Sequence, residues 1–411
     1  MQIGPTGRLD RSFGSAGTLT PTTPPGVSFE VEGMAVDSQD RLVVAGTSVL
    51  PKEPIPSTPG FQTSGFEVPE AARIARYLPD GSPDPGFGDG GAVETDLGLP
   101  PPRDSSGQQI IPRPWVEATG VTTDSQDRVV LTGGASAGVH YWCFHDWSWN
   151  TLTYAAFVAR LTQSGTLDTT FGDGDGVIGG RTPTENALQA EVSVDPQVGP
   201  AGELSYLSGF KHCASTAGSE GVGRLTESGT PQTSFGSEGS VSGGFAQATV
   251  EPDGSTVVIE RLPWRGGEPA RSRVRRLLPN GSPDPSFGTN GRTLFSFPGE
   301  FGNGLTSTAI GQDGGILLAG VASTVRQHRD PAGGLNKTYR SHWVLMRLNA
   351  GGELDRSFGK SGRIGTRLGS LIVGGPTLVS DPRGGMLVVS RYRSQGGNFH
   401  GFAVAHYMFS G

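Results

Sequence analysis

Short runs of apolar residues recur along the chain, each bounded by turn-forming residues. "RLVVAG" at Arg41, "RVVLTG" at Arg128 and "GGILLAG" at Gly314 are the clearest. Runs this short, rich in β-branched residues and cut off by Gly, Asp or Pro, predict buried strands. Each is preceded by a strand of small or β-branched residues and a tight turn, as in "MAVDSQDRLVVAG" at Met34 and "VTTDSQDRVVLTG" at Val121. The same hairpin is written at Val192, Ala248, Ala309 and Leu378 in looser form.

Between these hairpins a hexapeptide returns. "LDRSFG" stands at Leu9 and again at Leu354, with "PDPGFG" at Pro83, "LDTTFG" at Leu167, "PQTSFG" at Pro231 and "PDPSFG" at Pro283. Arg76, Arg160, Arg224, Arg276 and Arg347 keep one fixed offset to Phe87, Phe171, Phe235, Phe287 and Phe358. A constant offset through varied sequence predicts one repeated hairpin geometry. Two hairpins per unit give four strands and no helix, the pattern of a propeller blade. Six hexapeptides and six inner hairpins predict an all-β fold, a six-bladed β-propeller of four-stranded antiparallel blades. The blades fall near 30–96, 114–180, 186–244, 245–298, 305–368 and 376–411, the last completed by 7–20, within a single domain 1–411. The final unit stops where its hexapeptide is due, and the first begins with one. The N-terminal strand is therefore expected to complete the last blade and close the ring.

The unit "ARYLPDGSPDPGFGDGGAV" and the "DRLVVAG" type of hairpin resemble the delta-sixty repeat family, a bacterial β-propeller family, over essentially the whole chain. Gln232, where other copies have Asp, and His406, where others have Arg, depart from the pattern. The resemblance implies a propeller at the cell surface or outside the cell. It implies no activity and no catalytic residues.

The repeated residues read as scaffold. Equivalent Phe residues distributed around a ring are expected to pack between blades. Each Arg and the Asp eight residues on, such as Arg76 with Asp84 and Arg160 with Asp168, are expected to pair across the turn. "FGDGDG" at Phe171 lacks the spaced ligands and terminal Glu of an EF-hand and reads as Asp-Gly turn chemistry.

Composition sharpens this picture at two points. Gly at 66 and Pro at 31 supply the turns that so many short strands need. A formal net charge of -7 argues against a nucleic-acid partner. No apolar stretch is long enough for a spanning helix, and "MQIGPTGRLD" has no signal-peptide core, so a soluble monomer without membrane insertion is expected.

What is not repeated carries the candidate chemistry. Insertions follow Thr47, Asp96, Ala137 and Ala322, all in second-to-third strand loops or blade-to-blade links and so on one face of the disc. Trp115, Trp142, Trp147, Trp149, Trp264 and Trp343 fall in or beside such connections, with Tyr141, His145 and His342. Loops on a rigid scaffold concentrate binding residues, and Trp and Tyr are strong anchors. Those nine residues form the candidate ligand surface, centred on Tyr141, Trp142, His145, Trp147 and Trp149, for a glycan or a protein. The competing reading has them covering the blade tops and packing the long loops down. A second alternative makes the same face an enzyme, a hydrolase or lyase acting on a glycan and possible with metal assistance. No HExxH, nucleophile elbow or recognised metal spacing supports it, so no catalytic residue, metal or cofactor is assigned. Cys143 and Cys213 lie in equivalent loops of neighbouring blades and form a disulfide if their Cα atoms approach to about 6 Å. Two unconnected thiols are the alternative. The secreted character implied by the family resemblance favours the bridge.

Overall fold

The computed structural model describes the chain except residues 1–11, 16–18, 20, 22, 50–68, 102, 104–113, 145–146, 180–188, 192–195, 212–220, 263–269, 298–303, 312, 330–334, 368–370, 373–375, 382–384, 394–399 and 409–411. Among the described residues regular structure is all strand.

The first sheet is β1 (Ser28–Val36), β2 (Leu42–Val49), β3 (Pro69–Tyr77) and β4 (Ala92–Thr95), paired antiparallel in chain order. β5 (Val116–Thr123), β6 (Val129–Phe144), β7 (Trp147–Leu161) and β8 (Val177–Gly179) repeat that order. In the next sheet the first lane is split into β9 (Gln189–Glu191) and β10 (Gln197–Val198). Both pair with β11 (Leu204–Lys211), which is followed by β12 (Gly221–Leu225) and β13 (Ser240–Ser242). Chain order returns in β14 (Phe245–Val250), β15 (Thr256–Arg261), β16 (Ala270–Leu277) and β17 (Arg292–Phe297), and in β18 (Gly304–Ile310), β19 (Ile316–Arg329), β20 (Leu335–Leu348) and β21 (Arg363–Arg367). In the last sheet β22 (Leu371–Ile372) and β23 (Thr377–Asp381) share one side of β24 (Gly385–Arg393), with β25 (His400–Met408) on the other.

The chain divides into two compact units. One comprises Met1–Gln2, Leu9–Thr233 and Ser237–Ser242; the other comprises Ile3–Arg8, Ser234–Gly236 and Gly243–Gly411. The apolar runs found in the sequence are the second strands, and their alternate residues face neighbouring sheets on opposite sides. In the first unit Val43 and Ala45 of β2 pack with Val121, Leu131 and Phe157 of the following sheet, while Val130 and Val158 pack on the far side with Leu204 and Leu225. In the second unit Val257, Ile259 and Val274 pack against Ile316, Leu318 and Met346. Leu317, Trp343 and Leu345 pack with Leu378 and Val388. Both faces of a middle sheet are thus buried, which is why its central strand is a continuous apolar run and not a half-polar alternation.

Two insertions depart from the expected irregular loops. "GVHYWCFHDWSWNTLTY" lengthens β6 and β7 into one hairpin, and the stretch after Ala322 does the same for β19 and β20. In the first insertion the reason is local: Val, Tyr, Trp, Phe and Thr make up more than half of it, and these residues favour the pleated backbone.

Candidate functional site

The repeated hairpin is a rigid platform. Arg76 Nε donates to Asp84 Oδ2 at 2.7 Å, as does Arg160 Nε to Asp168 and Arg276 Nε to Asp284 at the same distance. Each guanidinium also lies over its Phe, 4.6 Å from the Phe87 and Phe171 centroids and 5.2 Å from that of Phe287. The aspartates accept further bonds from the N–H groups of Gly86, Thr170 and Ser286. Burial pushes these carboxyls up, but the N–H, hydroxyl and guanidinium donors outweigh it, so Asp84, Asp168 and Asp284 sit below the ordinary aspartate value. Arg347 is 3.6 Å from Asp355 and also meets Asp313. The expected Arg–Asp pair is therefore present in these four copies.

The Phe residues are buried between copies, as expected. A backbone stitch that side-chain reading missed accompanies them. The Gly ending five of the six hexapeptides donates its N–H to a turn carbonyl of the next copy: Gly14 to Asp80 at 2.7 Å, Gly88 to Ser164 at 2.9 Å, Gly172 to Ser228 at 2.8 Å, Gly236 to Asn280 at 2.9 Å and Gly288 to Gly351 at 2.7 Å. The next turn residue is a Gly at positive φ. A Cβ there would fall 3.2 Å from Phe13 at Gly81, 3.3 Å from Phe87 at Gly165, 2.8 Å from Phe171 at Gly229 and 2.7 Å from Phe287 at Gly352. The left-handed turn and the ring packed on it account together for Gly and Phe in these four pairs.

A further network ties the first two sheets. Asp37 accepts from the Arg41 N–H at 2.9 Å and from Arg41 Nε at 2.7 Å. Asp127 of the next sheet accepts from the Ser38 N–H at 2.9 Å and from Gln39 Nε2 at 2.8 Å. The duplicated "DSQDR" at Asp37 and Asp124 was the available signal. All of these groups serve one another, and among the described residues no group of His, Cys, Asp and Glu has the arrangement of a metal site.

The candidate ligand residues fall in three places. Tyr141, Trp142, Trp147 and Trp149 stand on the β6–β7 hairpin, where Trp142 is opposite Trp149 and Phe144 opposite Trp147. β5 reaches β6 only as far as Ala135, and β8 pairs with β7 only from Phe157 to Ala159. Beyond those points the described ladder joins β6 and β7 to each other alone. Directly opposed residues share a face of a ribbon, so the register gathers Trp142, Phe144, Trp147 and Trp149 on one face and puts Tyr141 and Cys143 at positions of the other. Trp115, half-buried, precedes β5, and His342, half-buried, is paired on β20 with Ala322 and Arg367. Trp343 is fully buried in the core with Leu345, Phe358 and Leu378, and its Nε1 has no hydrogen-bond partner among the described residues. Its place there follows from strand alternation with Leu345. His145, Trp264 and Cys213 lie outside the described residues.

Three segments of the chain, 64–87, 153–171 and 264–287, match the model of a family described as a domain of unknown function (DUF5122) beta-propeller. Each ends on a hexapeptide Phe, and with the all-β sheets they identify the fold as a β-propeller. No curated protein matches. Among solved structures the chain is similar to a protein of unknown function from Dyadobacter fermentans DSM 18053, at 12% identity and a TM-score of 0.48, over 94% of this chain and 100% of that one. An endo-arabinase from Bacteroides thetaiotaomicron VPI-5482 is similar at 11% identity and a TM-score of 0.34, over 71% of this chain and 93% of that one. MPT-4, a mannose phosphorylase from Leishmania mexicana in complex with phosphate ion, is similar at 9% identity and a TM-score of 0.33, over 69% and 80%.

Proposed function

We propose that this chain is a non-enzymatic recognition propeller, extracellular or at a cell surface, that binds a carbohydrate or protein ligand with the β6–β7 ribbon at the centre of its site. The observation that carries the reading is the register of that ribbon, which sets Trp142 against Trp149 and Phe144 against Trp147 past the end of the sheet. A flat aromatic surface stacks on sugar rings and anchors protein loops with little entropy lost on binding, because each ring has few rotatable bonds. The test is a Trp142→Ala/Trp149→Ala double variant screened beside the parent on a glycan and protein panel. A ligand held by the parent and lost by the variant at unchanged melting temperature supports the proposal. A ligand held equally by both, or a parent that retains nothing, defeats it.

The same proposal takes the repeats as delta-sixty repeats in one six-bladed ring, a monomer without cofactor, closed by residues 7–20. Support comes from the stitch of Gly14 onto Asp80, which treats the N-terminal hexapeptide as the member of the series before the first sheet. It also includes the Cys143–Cys213 disulfide. β9 pairs with β11 at Lys211, two residues before Cys213, and packs against β6 and β7. Denatured, unreduced protein should then show no free thiol, and two free thiols would remove the bridge from the proposal.

A further inference from the structure

The β19–β20 ribbon carries a second, different pattern. β18 pairs with β19 only from Ile316 to Val321, and β21 with β20 only from His342 to Met346. Beyond them the rungs from Ser323 opposite Ser341 to Arg329 opposite Leu335 belong to the two ribbon strands alone in the described ladder. Because opposed residues share a face, the rungs Ala322–His342, Thr324–Arg340, Arg326–Thr338 and His328–Asn336 collect on one side. Each rung there sets one guanidinium or imidazole residue against Ala, Thr or Asn. Arg329 and Lys337 occupy positions of the other side. These two stretches, 323–329 and 335–341, hold no Asp or Glu, in a chain of formal net charge -7.

We propose that this ribbon binds an anionic polysaccharide, with Arg326 and Arg340 taking its carboxylate or sulfate groups and Thr324, Thr338 and Asn336 its hydroxyls. The two arginines stand on successive same-face rungs, about 7 Å apart along the ribbon, a spacing that suits a polymer with regularly repeated charge and not a single small anion. Interleaved hydroxyl and amide residues match a polyhydroxylated ligand. Ala322 is buried in the core, and Val325, Tyr339 and Leu335 hold positions of the other side, so the outer rungs of this face carry no apolar residue to anchor an apolar protein surface. So few cations on an acidic chain would release too few counterions to hold a nucleic acid at physiological salt.

The test uses the full chain on immobilised polygalacturonate and heparin, with dextran and a single-stranded oligonucleotide as controls. The parent should bind one or both anionic polysaccharides, weaken with added salt, and ignore dextran. Arg326→Ala/Arg340→Ala should lose about tenfold or more in affinity at unchanged melting temperature, since each lost charge-assisted contact is worth about that factor. Arg356→Ala/Lys360→Ala, which removes exposed cations elsewhere, should bind as the parent does. Trp142→Ala/Trp149→Ala should also leave this binding intact, so the aromatic ribbon and the cationic one succeed or fail separately. No binding to either polysaccharide, equal loss in the Arg356/Lys360 control, or equally tight capture of the oligonucleotide would overturn the proposal.

Discussion

Arg224 ends its strand as Arg76 and Arg160 do, and the backbone turn that follows closes in the same way, with the Gln232 N–H on the Arg224 carbonyl at 2.9 Å. The Asp of the sibling copies is replaced by an amide, and Arg224 Nε instead donates to Ser205 Oγ at 3.3 Å with the charge of Glu203 nearby. Arg224 is 1% exposed, its pKa is pushed down by burial, and the Oε1 atom of Gln232 is buried with no hydrogen-bond partner among the described residues. Gln232→Asp restores the residue found in the sibling copies, where the N–H two residues on caps the carboxylate, as that of Thr170 caps Asp168. Urea unfolding should show the variant more stable by about 1–3 kcal/mol, the range for a hydrogen bond to a charged group. Glu251 presents the opposite case. It stands where the first two sheets have Asp37 and Asp124, but Ser255 replaces the partner arginine of Arg41 and Arg128. Glu251 is 7% exposed, its Oε2 lies 4.0 Å from Arg276 Nη1 without a hydrogen bond, and burial raises its pKa. A carboxyl with a raised folded-state pKa holds its proton more tightly when folded, so stability falls as pH rises from the unfolded value through the folded one. Glu251→Gln should therefore melt above the parent at neutral pH, and the gap should close as pH falls below the ordinary glutamate range. A gap that persists in acid would assign the gain to packing.

Elements divide between those written into the repeat and those written against it. Phe, Arg and Asp at fixed offsets announced the third-to-fourth strand hairpin, because the geometry there depends on side chains that must be those residues. The stitches between copies were hidden, because a backbone N–H meeting a carbonyl needs only a Gly and leaves no other mark. A bulge hidden for the same reason recurs in the first strands, between Val31 and Gly33, Ala118 and Gly120, Phe245 and Gln247, and Leu305 and Ser307. Each lies at the same distance before its turn and bends an edge strand, which discourages pairing with another chain. The ribbons are hidden in the sequence for a different reason. Trp, His and Cys stand outside the repeat consensus, so the stretch from Val139 to Tyr154 looked like a break in the pattern. Its own composition, rich in Val, Tyr, Trp, Phe and Thr, is strand-forming. A position beside an insertion makes Trp343 a candidate ligand residue in the sequence. Its alternation with Leu345, on the face that packs against Leu378, places it in the core.

For the molecule as a whole, the glycine turns offer a direct measure of how the series of copies ends. Gly229 has φ of 89°, and a Cβ there would fall 2.7 Å from Ile178 Cδ1 and 2.9 Å from the Gly172 backbone nitrogen. Gly229→Ala should accordingly destabilise by about 2 kcal/mol or more, combining left-handed strain with overpacking against a ring. Gly359 and Phe358 end the last hexapeptide, and continuing the series requires a Gly turn for them to meet. Under the proposed closure that turn is Gly7, which stands two residues before "LDRSFG" as Gly81 stands two before "PDPGFG". Gly7→Ala is then a substitution near the start of the chain that should cost about as much as Gly229→Ala and lower the melting temperature of the entire cooperative transition. Deleting residues 1–8 should do the same while sparing the Gly14–Asp80 stitch. In a chain whose ends do not meet, Gly7 bears no ring and no strained turn, and both changes would leave calorimetric melting unaltered while Gly229→Ala still lowers it. The comparison reads closure from energetics alone, because the same glycine chemistry is either loaded at position 7 or is not.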